Sequence, residues 1–375
     1  MNKSSGVTAR GPDTILINRA PGETRYALMA GDELVEVVHR RDSAIQSGAV
    51  YLGRVGAGVP GVSAVFVEIG DEVPGVLAVK GRPAPQGSAV PVVVIVPPRG
   101  DKGAELKAAD LNIPEDTRAP RLLQAAPEPV VTWWTCYRDG ITQVACAPKA
   151  EASRIKALLD PAAPVQEGAP GFFDGVDEAV EAALNPHVPL PSGGSLIIEH
   201  TAAVTAIDVN SGAGDPGTAN SEALTAVAVE LRRRNIAGHI VVDLIPSRKR
   251  APLARLLADA VSPDPIQTNV AGVTPLGMVE LTRRRVGLSL ADALCNAAGE
   301  LSAASVAYKL LRDAVRLAHV EKCAGVAASV APDVIALLQE QLRPALEEAT
   351  ATIKGELRFM PRADFPRGRV ELQPA

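Results

Sequence analysis

The stretch that decides the fold spans residues 201–243 and reads TAAVTAIDVNSGAGDPGTANSEALTAVAVELRRRNIAGHIVVD. Residues 204–207 are apolar and β-prone and run into Asp208-Val209-Asn210-Ser211-Gly212, so a strand ends on two polar side chains spaced by two. Period two puts Asp208 and Asn210 on one face. A Gly-rich loop over 211–219 follows. Apolar residues at 223, 224, 227, 228 and 231 then predict an amphipathic helix, with Asn220 or Ser221 as N-cap and Gly238 as C-terminal stop. The apolar run 240–242 reads as a second strand, parallel to the first, so the whole is a βαβ crossover. Strands of such a unit deliver their carboxyl ends to one edge of the sheet, where open α/β folds keep their sites, so Asp208 and Asp243 are expected to be neighbours.

Two facing carboxylates repel unless a divalent cation lies between them, and oxygen-only ligands favour Mg²⁺ or Mn²⁺. Asn210 can orient one carboxylate or ligate through its carbonyl. D-x-N-x-G also opens a calcium loop, but the twelfth position is Ala219 rather than Glu and no helix precedes it, which excludes that reading. The bland alternative is a pair of strand-end aspartates capping neighbouring loops. The surroundings are basic: Arg232 to Arg234, Arg248 to Arg250 and Arg283 to Arg285 form three runs. Residues 231–290 carry ten Lys/Arg against four acids, a window of +6 in a chain of net −5. Such a window suits a polyanion guided onto a metal, with Arg232, Arg234, Arg248, Arg250, Arg283 and Arg285 as candidate contacts. The first run also suits a helix C-terminus.

Around this unit, 375 residues leave room for two or three domains of about 150 residues each. Aromatics make up only 3%, which disfavours recognition of nucleic acid by many stacked rings. With no leader-like apolar segment and no run of about 18 apolar residues, the chain reads as a soluble cytoplasmic protein without membrane contact. Four cysteines lie far apart with no C-x-x-C pair, so neither a zinc knuckle nor a disulfide framework is encoded, and they read as small buried hydrophobes. Gly31-Asp32 marks a hairpin. YLGRV (51–55), AVFVEIG (64–70) and VPVVVIV (90–96) suggest a small barrel of oligonucleotide-binding type. Within it GAGVPG (56–61) formally matches a dinucleotide loop, but a strand pattern follows, so it reads as a hairpin turn. Residues 111–170 suggest a strand pair at 130–137 and 141–146 and a helix at 151–159, with Trp133 and Trp134 on opposite strand faces, one buried and one at an edge. Helices are expected at 175–184, 304–319 and 332–348, and strands at 195–199 and 357–361.

Several motifs in series resemble the bacterial ribonuclease E/G family. SGGSLIIEHTAAVTAIDVNSG (192–212), LRRRNIAGHIVVDLI (231–245) and LGMVELTRRR (276–285) look like its catalytic core, and YLGRV with AVFVEIG and RGDKGAEL (99–106) like its oligonucleotide-binding insert. The likeness covers roughly 14–110 and 170–300. It implies an α/β, multi-domain fold of the α+β kind. The ribonuclease H-like part would be 1–45 with 165–200, the barrel 46–110, a reduced connecting subdomain 111–164, the nuclease core 201–292 and a small C-terminal α/β domain 300–375. It implies that Asp208 and Asp243 bind magnesium, that Asn210 positions them, and that Phe66 and Lys102 approach RNA. The implied reaction is hydrolysis of single-stranded RNA, in rRNA precursor processing or mRNA decay, leaving 5′-phosphate ends. A different class, an RNA-binding protein of the same fold with weak or no nuclease activity, is the alternative. Departures are also plain: Val76 replaces the insert's second aromatic, the loop after Asn210 is short, and 111–170 lacks the Arg-Thr pair of a 5′-monophosphate sensor. LCNAAGE (294–300) keeps one cysteine of a zinc-link, so no zinc site and no zinc-linked dimer are expected, while other oligomers stay open.

Overall fold

The computed structural model describes residues 11–114, 117–246 and 251–375, the last without the side chain of Ala251. Three antiparallel strands open the chain, β1 (Thr14–Ala20), β2 (Glu23–Ala30) and β3 (Glu33–Arg41), with Gly31-Asp32 turning the second hairpin. Six strands follow: β4 (Val50–Gly58), β5 (Ala64–Glu68), β6 (Gly75–Ala78), β7 (Ala89–Val96), β8 (Glu105–Ala108) and β9 (Arg121–Gln124). The first five close in the order β4-β5-β6-β8-β7-β4, which makes a five-stranded barrel, and β9 is added along β4. GAGVPG lies at the end of the β4–β5 hairpin, and the alternation of Val65, Val67, Val92 and Val94 fills the barrel interior.

Residues 130–137 are helical, not a strand: α1 (Pro129–Tyr137) precedes β10 (Gln143–Ala147), α2 (Lys149–Leu158), β11 (Val165–Glu167) and α3 (Asp174–Leu184). The VVTWWT run is β-prone in isolation, but Pro129 is pre-set for the first helical turn, and Val130 and Trp133, three apart, both bury against Ile15, Tyr26 and Cys146. Trp133 is buried and donates its indole N–H to Glu36 Oε2 at 3.0 Å, while Trp134 is half-buried and donates to Asp160, so one ring is inside and the other at an edge. β10 and β11 add in parallel to β1, giving the sheet order β11-β10-β1-β2-β3.

The decisive stretch builds a second large sheet from β12 (His187–Pro189), β13 (Ser195–His200), β14 (Thr205–Asn210), α4 (Pro216–Arg233), β15 (Gly238–Asp243), α5 (Ala251–Val261), β16 (Thr268–Val273) and β17 (Met278–Arg283). Its order is β12-β13-β14-β15-β17-β16, with β14 and β15 parallel. α4 begins earlier than expected. Asp215 is its N-cap, accepting from Thr218 N–H at 2.8 Å, and Pro216 takes the first helical position. It also ends earlier, since Asn235 turns the chain at φ 48°. Leu224, Val227 and Leu231 of α4 pack with Leu257 and Val261 of α5 against Ile207, Ile240, Val242 and Leu281. The alternate residues of β14 and β15 are left on the other face.

The chain ends in α6 (Leu290–Leu294), α7 (Ala303–Glu321), β18 (Gly325–Val330), α8 (Pro332–Gln339), α9 (Arg343–Ile353), β19 (Glu356–Pro361) and β20 (Val370–Pro374). The expected helix at 332–348 is thus two helices, broken before Pro344. β18 is fully buried between β19 and β20. Fully buried Glu23 ties this unit to the first sheet, meeting Arg312 at 3.2 Å as well as His39 and Arg41. The cysteines are not uniform: Cys136 is exposed, while burial pushes the Cys146 thiol up to about 12. No helix among the described residues is long and apolar enough to cross a membrane.

Candidate active site

Parallel pairing sets Ile207 opposite Val242 and Asp208 opposite Asp243. Because neighbouring strands lie about 4.8 Å apart and successive side chains alternate faces, both carboxylates emerge side by side on the face that α4 and α5 do not cover. Both are exposed, as is Asn210 two residues on. The Asn210 side-chain carbonyl accepts from the Gly212 N–H at 2.8 Å, so this residue fixes the turn that leaves the strand. Five residues, 211–215, then connect β14 to the N-terminus of α4.

The carboxylates open into a pocket of about 310 Å³ whose other walls are apolar: Ile245, Pro246, Leu253 and Leu276. Asn220 holds one side of it. Far from capping a helix, Asn220 is fully buried within α4, donating to Ile245 O at 2.9 Å and accepting from Ile245 N at 3.0 Å, two residues beyond Asp243. Sequence carried one sign of this role: 219, 220, 223, 224 and 227 continue a single apolar stripe, and a polar residue on that stripe must find a buried partner.

The basic residues fall into three groups. Arg232, Arg234 and Arg283, expected to meet RNA, are instead held inside the protein. Arg232 donates to Glu36 at 2.7 Å and to the Tyr137 hydroxyl at 2.7 Å; burial works against its charge, but Glu36 prevails and keeps its pKa raised. Arg234 pairs with Glu230 and donates to Asn185 O at 2.9 Å. Arg283, with 1% of its side chain exposed, donates to Asp264 at 2.8 Å, to Asn235 at 2.9 Å and to Ile236 O at 3.0 Å. Carboxylates and carbonyls inside the protein engage all three, although Arg234 also lines the cleft that holds Lys102 and Arg285. Arg248 and Arg250 lie outside the described residues.

Lys102 and Arg285 form the third group, meeting in a separate cleft of about 960 Å³ between the barrel and the other end of β14 and β15. A side chain at Gly238 would strike the Arg285 guanidinium at 2.8 Å, so the arginine lies over the first residue of β15. Lys102 stands on a loop closed by paired backbone hydrogen bonds with Arg99 at 2.9 Å. His200 and His239 also line the cleft, and burial pushes the His200 imidazole below its usual value against the pull of Asp292. Phe66 lies on the barrel, half-buried, with Val76 directly across from it on β6.

A five-stranded β-barrel and an α/β sheet that presents two adjacent carboxylates thus stand on one chain. Residues 114–286 match the model of the Ribonuclease E/G family. Ribonuclease G of Haemophilus influenzae is 39% identical over 169 residues, 40% of this chain and 34% of that protein. Ribonuclease G of Escherichia coli K12 is 36% identical over 166 residues, with the same two shares of 40% and 34%. Ribonuclease E of a Nostoc species is 41% identical over 140 residues, 34% of this chain and 20% of that protein. Residues 114–286 are therefore similar to the ribonuclease E/G family, and the chain spans about a third of the length of the ribonuclease G relatives it matches.

Proposed function

We propose that the chain is a divalent-metal-dependent endoribonuclease that hydrolyses single-stranded RNA in the cytoplasm, acting on rRNA precursors or mRNA. The carrying observation is the register that sets Asp208 beside Asp243 at the rim of a pocket. The donor set fits Mg²⁺ or Mn²⁺: two exposed carboxylates can hold such an ion while water and a substrate phosphate complete its shell. No group of three or more His, Cys, Asp or Glu that could hold a metal gathers among the described residues, here included, so these two carboxylates would share the ion with water and substrate. When bound, the cation supplies Lewis acidity and a water acidified enough to attack phosphorus.

Asp208 and Asp243 would hold that cation from adjacent strands, while Asn210 keeps the chain beyond β14 in its turn. Asn220 anchors the segment after Asp243, so the second carboxylate stays in register. Lys102 and Arg285, with Arg248 and Arg250, hold the RNA backbone, and Phe66 offers one stacking face. We further assign the segments 1–45 with 165–200 to a ribonuclease H-like part, 46–110 to the RNA-gripping barrel, 111–164 to a reduced connecting subdomain, 201–292 to the nuclease core and 300–375 to a small end domain. A zinc-linked dimer is not part of this reading.

The second reading, an RNA-binding protein with little turnover, draws support from the five-residue link between β14 and α4. One experiment separates them. Purified chain is incubated with a labelled single-stranded, AU-rich RNA in Mg²⁺ or in EDTA, beside Asp208→Asn and Asp243→Asn. Cleavage that needs the cation and both aspartates, with binding kept in the variants, supports the nuclease; binding without cleavage supports the second reading; full turnover in EDTA refutes metal-dependent hydrolysis.

A further inference from the structure

Leu276 is 82% exposed, and it stands at the rim of the carboxylate pocket. Its position is built rather than incidental. Asp243 pairs with Met278, so the hairpin joining β16 to β17 turns beside the second carboxylate. The Gly277 N–H donates to Thr274 O at 2.9 Å and the Thr274 N–H to Met278 O at 2.8 Å, and Gly277 takes φ 102°. That turn holds Leu276 at a pocket that Leu253 and Pro246 also line. One wall of the pocket is therefore anionic and the others aliphatic.

We propose that Leu276 and the aliphatic wall behind it form a ledge for the nucleobase next to the scissile phosphate. This rests on the nuclease reading. A phosphodiester seated at the carboxylate pair must bring its own two nucleosides alongside. The flanking phosphates and riboses keep their water, and a base face is the part of RNA that an aliphatic surface accepts without losing hydrogen bonds. Leucine is also a side chain that proteins insert between base steps to unstack them. With no hydrogen-bonding edge, the ledge selects for an unstacked base without choosing its identity, so it deepens the preference for single strands.

The test compares kcat/KM in Mg²⁺ for a single-stranded RNA with one mapped cut against the same RNA carrying an abasic residue on either side of that cut. The wild-type chain loses about tenfold with one of the two abasic substrates, the loss expected when about half of a leucine's apolar surface goes unused. Leu276→Ser loses about tenfold on intact RNA and nothing further on that abasic substrate, whereas Leu276→Met stays near wild type. Wild-type rates for Leu276→Ser, or losses that multiply, overturn the ledge. The hairpin tip is solvent-facing, so an unchanged thermal midpoint certifies each variant. If the wild-type chain cleaves nothing, the nuclease reading fails by itself. The ledge is then read from single-stranded oligonucleotides carrying 2-aminopurine: a fluorescence change present with wild type and lost with Leu276→Ser supports it, and equal signals overturn it. Sedimentation of both chains covers the rival occupant, since a dimer that Leu276→Ser dissolves without altering any base effect assigns the ledge to a second copy instead.

Discussion

Replacing Arg283 with methionine keeps most of the side-chain volume but removes three hydrogen bonds: those to Asp264, Asn235 and the Ile236 carbonyl. Asp264 is left 7% exposed without its hydrogen-bonded counter-charge, although it still accepts from Ile266 N–H at 2.9 Å and Arg232 still acts on it at longer range. Breaking one side of such a buried pair costs about 3–5 kcal/mol. For a unit of this size that lowers the melting transition by roughly 6–20 °C. Arg285, two residues away, is half-buried in the cleft with Lys102, so Arg285→Ser changes stability by no more than about 0.5 kcal/mol. Binding should show the reverse. Every phosphate of a single strand that the protein no longer neutralises reduces the slope of log K against log salt by about 0.7. Arg285→Ser should flatten the slope by that amount, and Arg283→Met should leave it unchanged in whatever fraction remains folded. Differential scanning fluorimetry and fluorescence anisotropy of a labelled RNA across a salt series read the two effects separately. A melting point within about 2 °C of wild type for Arg283→Met, together with a flatter salt slope, would show that Arg283 faces RNA and that the buried cage is wrong.

Asn220→Ala should destabilise by about 2–4 kcal/mol, because both backbone groups of Ile245 lose their partner inside the core, and it should speed amide exchange at Leu244 and Ile245. Unchanged exchange there argues against the anchor. Glu23 titrates in the acid range: burial pushes its carboxyl up, but His39, Arg312 and Arg41 outweigh that and hold it well below its usual 4.5. A carboxylate with a depressed folded pKa contributes stability that is fully present above the unfolded value and is lost as pH falls below 4.5 toward the folded one. Glu23→Gln should therefore weaken the chain at neutral pH and flatten its acid dependence, measured as urea midpoints from pH 7 to pH 2. Elemental analysis should find no stoichiometric zinc: Cys295 precedes α7 and Cys323 follows it, and 19 helical residues separate them by roughly 28 Å. One zinc per two chains, lost with dissociation on chelation, would show that reasoning wrong.

The crossover was legible because its cues are local. Alternation ends in Asp208 and Asn210, the helical stripe runs through Leu224 and Val227, and 240–242 is apolar throughout. Parallel pairing of β1 with β10 was not, since Thr14 and Gln143 are brought together only by the whole intervening barrel. α1 was misread because Val130, Val131 and Thr132 favour strands until tertiary burial selects the three-residue spacing. Among the arginines, charge is visible in sequence and partners are not. The 232–234 run looks like one basic patch, yet Glu36 claims Arg232 and Glu230 claims Arg233 and Arg234. The site was therefore readable in its carboxylates and unreadable in what surrounds them.

Asp243 owes its place on the open face to a pairing counted residue by residue, Gly238 with Arg283 through Asp243 with Met278 on one flank and Thr205 with Ile240 through Asp208 with Asp243 on the other. A side-chain period of two makes this arrangement unforgiving of odd steps: one residue gained or lost inside β15 turns Asp243 into the core and Val242 out to solvent. Length can drift far more freely in the link between β14 and α4, where a change alters only how the helix is reached. Descendants of this chain can thus lose or gain whole loops around the site while the six residues of β15 admit substitution but not insertion, which separates the part of the molecule open to evolutionary remodelling from the part that is not.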